Sequence, residues 1–313
     1  MPDPGRLDFM VAGELYADLI MSGFDLWPAP GREAFAKEFH REIGGGAAIT
    51  ACGLAKLGSR TGVLGVVGAD GGWLVERLAQ NGVDTSEIRI DAQEPTAFTV
   101  AVTGPEDRAF LTYPGANRRF PAALTEAVSA GRLARARHVH LAYPPDLATA
   151  AELFGAIHAG GCTLSLDVGW QEEWLGDPRT LAILRLADIF FPNEIEAARV
   201  TGEADPEKSL RCFAAAGVRR VALKLGARGA ALLWDGEILF ASAPPVTPLD
   251  TTGAGDCFDA GFLHAWLRGA SPELCQRTAN VCGALSTEAH GGIAGFPTSA
   301  RVERELEGKT CGR

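Results

Sequence analysis

Long apolar runs are missing from this 313-residue sequence. No stretch approaches the roughly 18 apolar residues that a membrane-spanning helix needs. The opening MPDPGRLDFMVAG lacks the basic start and the apolar stretch of a secretory signal. We therefore expect a cytoplasmic protein that has no membrane partner.

Clustered positive charge is missing as well. The 29 Lys and Arg residues are scattered along the chain, and 39 Asp and Glu residues bring the net charge to −10. A nucleic-acid-binding face needs a basic patch that releases counterions from the phosphate backbone. Nucleic acid is therefore not an expected partner.

Several metal and phosphate motifs are also absent. The seven cysteines are odd in number and never form a CxxC pair, which argues against a disulfide framework and a thiolate zinc site. His138 and His140 lack a third ligand and an HExxH arrangement. No GxxxxGK[ST] loop occurs, and GVVGADGG from Gly65 lacks dinucleotide-binding spacing. A Walker-type ATPase and a dehydrogenase are both disfavoured.

Short apolar runs recur along the chain, separated by segments with helical periodicity. They lie at Phe9–Ala12, Thr61–Val67, His138–Leu141, Thr163–Leu166, Asp188–Phe191 and Val221–Leu225. Such runs are typical of strands buried on both faces, and their alternation with helices predicts a mainly parallel sheet flanked by helices. The expected fold class is α/β, in a single domain over residues 1–313.

Two regions, about residues 14–41 and 95–115, alternate polar and apolar residues instead. This alternation indicates strands with one solvent-exposed face, as in a small antiparallel sheet. We expect the two regions to form a discontinuous β lid on the main domain.

The stretch DTTGAGDCF, which starts at Asp250, has little side-chain bulk and directly precedes a helical pattern. At a helix N-terminus, unpaired N–H groups and the helix dipole can hold an anion, and Gly253, Ala254 and Gly255 leave its approach open. A carboxylate there is useful if it takes a proton from a hydroxyl that attacks a phosphate. Asp256 is therefore a candidate general base, although it could also simply cap the helix.

Several motifs in order, from about Leu7 to Pro297, resemble the ribokinase or PfkB carbohydrate kinase family. GELYADLI is similar to the family's opening strand and turn, GGGAAITACGLAKLG to its first signature, and GVVGADGGW to the following Gly-Asp-Gly turn. DIFFPNEIEAARVTG resembles the Asn-x-x-Glu segment. VTPLDTTGAGDCFDAGFLHAWLRG resembles the second signature almost residue for residue. The resemblance implies a ribokinase-like three-layer fold with a small antiparallel β lid.

The activity that this resemblance implies is ATP-dependent phosphoryl transfer to a hydroxyl of a small sugar or sugar-like substrate. Asp256 would be the base, and the amides from Gly253 to Asp256 would stabilise the transferring group. Asn193 and Glu196 would offer oxygen ligands to Mg²⁺, although the same pair could simply begin a helix. A requirement for a monovalent cation such as K⁺ is left open.

The resemblance also implies residues near the nucleotide and the substrate. The positions near ATP are Lys224, Gly226, Gly229, Thr252 and Asn280. A structural hairpin is the alternative interpretation of LKLGARGAALLW, which contains the first three. The positions near the substrate are Asp18, Gly44, Gly45, Gly46, Ile49, Arg108, Asn117 and Asp256.

Two positions depart from the family pattern. Ile49 stands where relatives usually carry an Asn that contacts a substrate hydroxyl, and Gly169 stands where they usually carry another Asn. An apolar pocket discriminates by only about 1 to 3 kcal/mol per methylene. We therefore expect a substrate that is less polar at that edge or differently oriented.

Other functions stay open at this point. A nucleoside kinase on the same fold is favoured by Ile49 and Trp170. A non-catalytic sugar-binding regulator is disfavoured by the intact Asp256, Asn193 and Glu196, and an oxidoreductase has only the α/β pattern in its favour. Lid edges commonly pair in the family, so the resemblance also implies a homodimer.

Overall fold

The structure is a computed structural model that describes residues 5–24, 26–27, 29–103 and 108–308, with residues 103 and 108 described by their backbone only. The strands in chain order are β1 (Leu7–Gly13), β2 (Tyr16–Ser22), β3 (Glu38–Gly44), β4 (Thr61–Gly68), β5 (Asp84–Asp91), β6 (Phe98–Thr103), β7 (Arg108–Tyr113), β8 (Ala136–Ala142), β9 (Thr163–Leu166), β10 (Ile189–Phe190), β11 (Arg220–Lys224), β12 (Ala230–Trp234) and β13 (Glu237–Ala241).

The α-helices are α1 (Gly46–Lys56), α2 (Gly72–Gln80), α3 (Phe120–Ser129), α4 (Ala150–Ala159), α5 (Glu172–Gly176), α6 (Thr180–Leu184), α7 (Glu194–Thr201), α8 (Pro206–Ala215), α9 (Ala254–Leu267), α10 (Pro272–Ser286) and α11 (Ser299–Gly308). Within the described ranges, none of these helices combines the length and the apolar character that crossing a bilayer requires.

The larger sheet runs in the order β13-β12-β11-β10-β9-β8-β1-β4-β5. Its pairings are parallel from β11 to β5, and antiparallel where β12 and β13 extend the edge. All six apolar runs singled out in the sequence are strands of this sheet. The α/β prediction is confirmed.

Helices cover both faces of the larger sheet, which explains why central strands such as β1 and β4 have no exposed polar face. In β1, Phe9 and Val11 belong to an apolar cluster that includes residues of α1, α9 and α10. Met10 and Ala12 belong to the cluster on the opposite face, which includes residues of α3, α4 and α8. Because successive side chains of a strand point to opposite faces, a strand between two such clusters is apolar throughout.

The smaller sheet joins the two regions that alternate in the sequence, in the order β3-β2-β6-β7. The β2–β3 and β6–β7 pairings are antiparallel, as expected. The central β2–β6 pairing is parallel instead, because the two regions enter the sheet in the same direction. One face carries polar side chains, among them Asp18, His40 and Glu42, and alternation places Phe39 and Leu111 on the other face.

Candidate active site

The N-terminus of α9 is built by the glycine-rich stretch that stands out in the sequence. Gly253 precedes the helix in the left-handed conformation, with φ 73°. A Cβ on Gly253 would lie 2.9 Å from Gly292 Cα and 2.9 Å from Ile49 Cδ1. Only glycine fits this position without displacing its neighbours.

Backbone amides are available at this helix end. The Ala254 N–H donates to the Thr251 carbonyl at 3.3 Å. Among the described residues, the N–H groups of Gly253, Gly255 and Asp256 have no such acceptor. Unpaired amides at the positive end of a helix dipole are a ready site for an anion.

Asp256 lies in the first turn of α9 and lines a cavity of about 480 Å³, which we call the central cavity. A Cβ on Gly46, at the start of α1, would lie 2.7 Å from Asp256 Oδ1, so the carboxylate and the α1 backbone approach closely. Burial, together with the charge of Asp167, raises the pKa of Asp256 to about 7. A carboxylate with this pKa can accept a proton near neutral pH.

Lys224 lies beside Asp256, between two further carboxylates. Its Nζ is 2.6 Å from Asp167 Oδ2 and 3.3 Å from Asp259 Oδ1. The neighbouring ammonium lowers the pKa of Asp167 to about 2 although burial acts the other way, and burial raises the pKa of Asp259 well above its ordinary range. The shorter contact, to Asp167, is therefore the ion pair.

A second cavity of about 480 Å³ shares Lys224, Gly226, Ala254 and Gly255 with the central cavity, and we call it the proline-lined cavity. Besides these residues and the predicted Gly229 and Asn280, its lining is largely apolar: Ala227, Ala243, Pro244, Pro245, Val246, Pro248 and Phe258. Asn280 is oriented by a hydrogen bond from its Nδ2 to the Ala241 carbonyl at 2.9 Å.

Asn193 and Glu196 line the central cavity and form a capping box at the start of α7. Asn193 Oδ1 accepts a hydrogen bond from the backbone N–H of Glu196 at 2.9 Å. The backbone N–H of Asn193 donates to Glu196 Oε2 at 2.8 Å. Burial and the charge of Asp167 raise the pKa of Glu196. The helix-start interpretation is therefore realised, and a carboxylate keeps lone pairs beyond the bonds that it accepts here.

A third cavity, of about 310 Å³, lies against the polar face of the smaller sheet, and we call it the small-sheet cavity. Its lining includes Asp18, Glu42, Asp250, Thr252 and His290. Burial, and then the charge of Glu42, raise the pKa of Asp18 to about 6. A Cβ on Gly44 would collide with the Asp18 carboxyl group, so this glycine makes room for the carboxylate.

Four positions implied by the resemblance lie elsewhere than expected or outside the described side chains. Ile49 is 4% exposed and packs beneath Gly253 and Gly292 rather than lining the central cavity. Asn117 uses Oδ1 and Nδ2 on the backbone of Leu15, at 3.2 and 3.1 Å, so it holds the β1–β2 connection.

Thr252 lines the small-sheet cavity, whereas its neighbour Thr251 lines the proline-lined cavity where the nucleotide contact was expected. The side chain of Arg108 lies outside the described residues. Gly45 has φ 92° and packs against the Glu14 carbonyl, which shapes the turn into α1.

Sequence reasoning missed Asp259 and the acidic wall formed by Glu42 and Asp250. Asp259 could have been found, because a residue three positions after Asp256 lies on the same face of a helix. Glu42 and Asp250 offered no such signal, because their approach depends on how β3 meets the loop before α9. Trp170, which the sequence offered in favour of a nucleoside substrate, is 55% exposed and lines the central cavity.

Comparison with known proteins agrees with this geometry. A sequence profile described as the pfkB family carbohydrate kinase matches residues 8–299. The 2-dehydro-3-deoxygluconokinase of Bacillus subtilis is 30% identical, over 84% of this chain and 86% of that protein. The fructokinase of Klebsiella pneumoniae is 30% identical, over 84% and 91%.

Solved structures agree as well. The ribokinase of Arabidopsis thaliana, solved with ribose and ATP, is 27% identical and superimposes with a TM-score of 0.82, covering 96% of this chain and 99% of that one. Because the family profile matches nearly its whole length, the chain belongs to the pfkB family of carbohydrate kinases.

Proposed function

We propose that this kinase transfers the γ-phosphoryl group of ATP to a hydroxyl of a small sugar or sugar-like substrate, with Asp256 as the general base. One observation carries the proposal. A carboxylate whose pKa is about 7 lies at a helix N-terminus whose amides at Gly253, Gly255 and Asp256 are unpaired among the described residues. A proton acceptor beside an anion site is the arrangement that attack of a hydroxyl on a phosphate requires.

The proline-lined cavity supports ATP as the donor. Its apolar walls suit a flat base, and ligand pockets are typically apolar with a few polar groups that fix orientation. Lys224 and Gly255 belong to both this cavity and the central cavity, so a nucleotide there would have its phosphates beside α9. Gly226, Gly229 and Asn280 would contact the nucleotide.

Asn193 and Glu196 are the residues that we propose for Mg²⁺. Hard oxygen ligands suit this ion, which usually keeps several of its waters. Asp167, Asp256 and Asp259 also offer oxygen atoms within 4.8 Å of one another. Lys224 already lies between Asp167 and Asp259, so that group holds an ammonium. Bound Mg²⁺ would neutralise phosphate charge, and a requirement for K⁺ stays open.

The chain's own residues would then act as follows. Asp256 accepts the proton of the attacking hydroxyl, and the amides of the first turn of α9 donate to oxygens on which negative charge develops. Lys224 places a fixed positive charge beside them. Asp18 accepts hydrogen bonds from other substrate hydroxyls.

The smaller sheet would be the lid, formed by residues 14–41 and 95–115 on the single domain. Covering the acceptor would exclude water and limit wasteful ATP hydrolysis. We also propose a homodimer that forms through the opposite face of this sheet, where Phe39 is 57% exposed and Leu111 is 65% exposed. A cytoplasmic location stays a prediction.

A panel of ketohexoses, aldopentoses, sugar acids, sugar phosphates and nucleosides, assayed for ADP release from MgATP, tests the proposal. We expect turnover of at least one compound and a loss of at least about a hundredfold in kcat for Asp256→Asn, as befits a general base. Asp205→Asn is the matched control, because Asn can replace Asp at the N-cap of α8. Asp256→Asn activity equal to that of the control would exclude Asp256 as the base.

A nucleoside kinase is the second candidate, because the exposed Trp170 ring in the central cavity could stack on a base. Nucleoside turnover that Trp170→Ala abolishes would establish it. Stabilisation by a sugar without any ADP release would point to the non-catalytic regulator instead.

A further inference from the structure

We infer that the acceptor is an uncharged polyol, and that the site selects against sugar acids and sugar phosphates. This inference rests on the proposed function, since it concerns the substrate of the same site. It concerns the charges that line the central and small-sheet cavities.

The small-sheet cavity has an acidic lining. Four carboxylates line it, those of Asp18, Glu38, Glu42 and Asp250. Among its described lining residues there is no Lys or Arg, and the only basic side chains are the imidazoles of His40 and His290. A negatively charged substrate would meet like charge here, which is strongly unfavourable when water is excluded.

Apart from the α9 amides proposed above to bind the phosphates of ATP, the charged groups of the central cavity are mainly acidic. Glu14, Asp167, Glu196 and Asp256 line it, and Lys224 is the only Lys or Arg among its described lining residues. The Lys224 ammonium is already paired with Asp167 at 2.6 Å. A carboxylate of the substrate would therefore have to compete with a buried ion pair.

Two described basic side chains near the smaller sheet also have partners of their own. Arg77 Nη2 lies 3.6 Å from Glu42 Oε2. Arg41 alternates with His40 and Glu42 along β3, so it points to the other face, where its guanidinium stacks 3.6 Å from the centre of the Trp73 ring. Neither is available to a substrate anion in this arrangement.

Hydroxyl groups of a substrate, by contrast, would have a hydrogen-bond acceptor in the small-sheet cavity. Asp18 has no hydrogen-bond partner among the described residues, and its carboxylate lines the small-sheet cavity. Carboxylates accept hydrogen bonds from two or more hydroxyls, and bonds to a charged acceptor are the stronger kind. Adjacent hydroxyls of a polyol match this wall.

The names of the relatives do not make this choice. The relatives named for a sugar acid and for a neutral ketohexose are both 30% identical to this chain, and one named for a sugar phosphate is 33% identical. The charges of the cavity lining distinguish the two classes.

The test compares an uncharged with a charged compound in two pairs: D-fructose with 2-dehydro-3-deoxygluconate, and D-ribose with D-ribose 1-phosphate. A wider panel of ketohexoses, aldopentoses and polyols accompanies them. Calorimetry measures binding to the enzyme without ATP, and ADP release measures kcat/KM. We expect the uncharged members to bind more tightly and to have kcat/KM at least about a hundredfold higher.

A charged member that binds as tightly as its uncharged partner, or a panel without any uncharged binder, overturns the inference. Uncharged compounds that bind without ADP release would instead contradict the proposed kinase reaction while leaving the selectivity intact. The two failures are therefore distinguishable.

Variants sharpen the test. Glu42→Gln removes one carboxylate of the small-sheet cavity. We expect it to lower the ratio of kcat/KM for the uncharged compound to kcat/KM for its charged partner about tenfold. Glu237→Gln, at the exposed start of β13, is the matched control and should leave the ratio unchanged. Arg108→Ala should keep the preference for uncharged compounds. Turnover of a charged compound that disappears in Arg108→Ala would identify this arginine as its partner and overturn the inference.

Discussion

The two walls of the candidate site differ in what they are made of. At the N-terminus of α9, backbone lines the site, and the close approaches of Gly253 and Gly46 leave no room for a Cβ. At the smaller sheet, side chains such as Asp18 and Glu42 line the cavity and project from regular strands. The backbone wall therefore depends on geometry that few substitutions can keep, whereas the side-chain wall can change its charge without changing the fold.

Substitution of Gly253 should have the largest effect on activity. In Gly253→Ala the Cβ would lie 2.9 Å from Gly292 Cα, which must displace the amides of the helix start. We expect kcat to fall by about 10² to 10³, the range for loss of one oxyanion-hole donor.

Gly269→Ala is the matched control, because Gly269 has φ 78° with nothing within 4 Å of its Cβ position. Each variant should lose about 1 kcal/mol of unfolding free energy through its left-handed backbone. Equal kcat values for the two variants would contradict a wall built from backbone.

Loss of Lys224 should have the largest effect on stability. Lys224→Met leaves Asp167, with a side chain 11% exposed, without its counter-ion, and removes the contact to the fully buried Asp259. We expect the free energy of unfolding in urea to fall by about 3 to 5 kcal/mol, as for other broken buried ion pairs. Glu42→Gln, in the more accessible wall, should stay within about 0.5 kcal/mol of the parent. Similar losses for both variants would remove the distinction between the walls.

The pH dependence of kcat/KM should show two protonations, one of Asp256 at the start of α9 and one of Asp18 at the smaller sheet. The pKa of Asp256 is raised to about 7, so the base becomes protonated as pH falls through neutrality, and kcat/KM should fall about tenfold per pH unit below 7. Protonation of Asp18, with a pKa of about 6, should steepen the fall below pH 6.

Asp18→Asn should keep a slope of one over the whole range, with an acceptor KM raised about tenfold through loss of hydrogen bonds to a charged group. If kcat/KM still falls more steeply below pH 6 in this variant, the second protonation belongs to a group other than Asp18.

The sequence predicted the larger sheet and the helix start well, for reasons that lie in local chemistry. Strands such as β1 are buried on both faces and therefore read as continuous apolar runs. The helix start carries its own signal, since glycines followed by a helical pattern have few other structural uses. Asp256 could be proposed as a base from that segment and its resemblance alone.

The side-chain wall was harder to foresee, because it depends on contacts between distant segments. Asn117 was expected at the substrate, but its amide is used by the Leu15 backbone, 102 residues away. Ile49 was expected at the acceptor, but the first turns of α1 place it under Gly253. In both cases tertiary packing decides which way a side chain points, and a linear motif does not contain that information.

The parallel pairing of β2 with β6 has a consequence for the order of assembly. Ala17 pairs with Phe98, so the chain between them, which holds β3, α1, β4, α2 and β5, must be compact before the two strands can meet. Closing so long a loop costs entropy that only later contacts repay. Asp18 precedes β6 and β7 in the chain, and the cavity that it lines also needs Asp250 and His290, which follow much later in the sequence. The small-sheet cavity is therefore a late product of folding, because its walls come from segments that lie far apart in the chain.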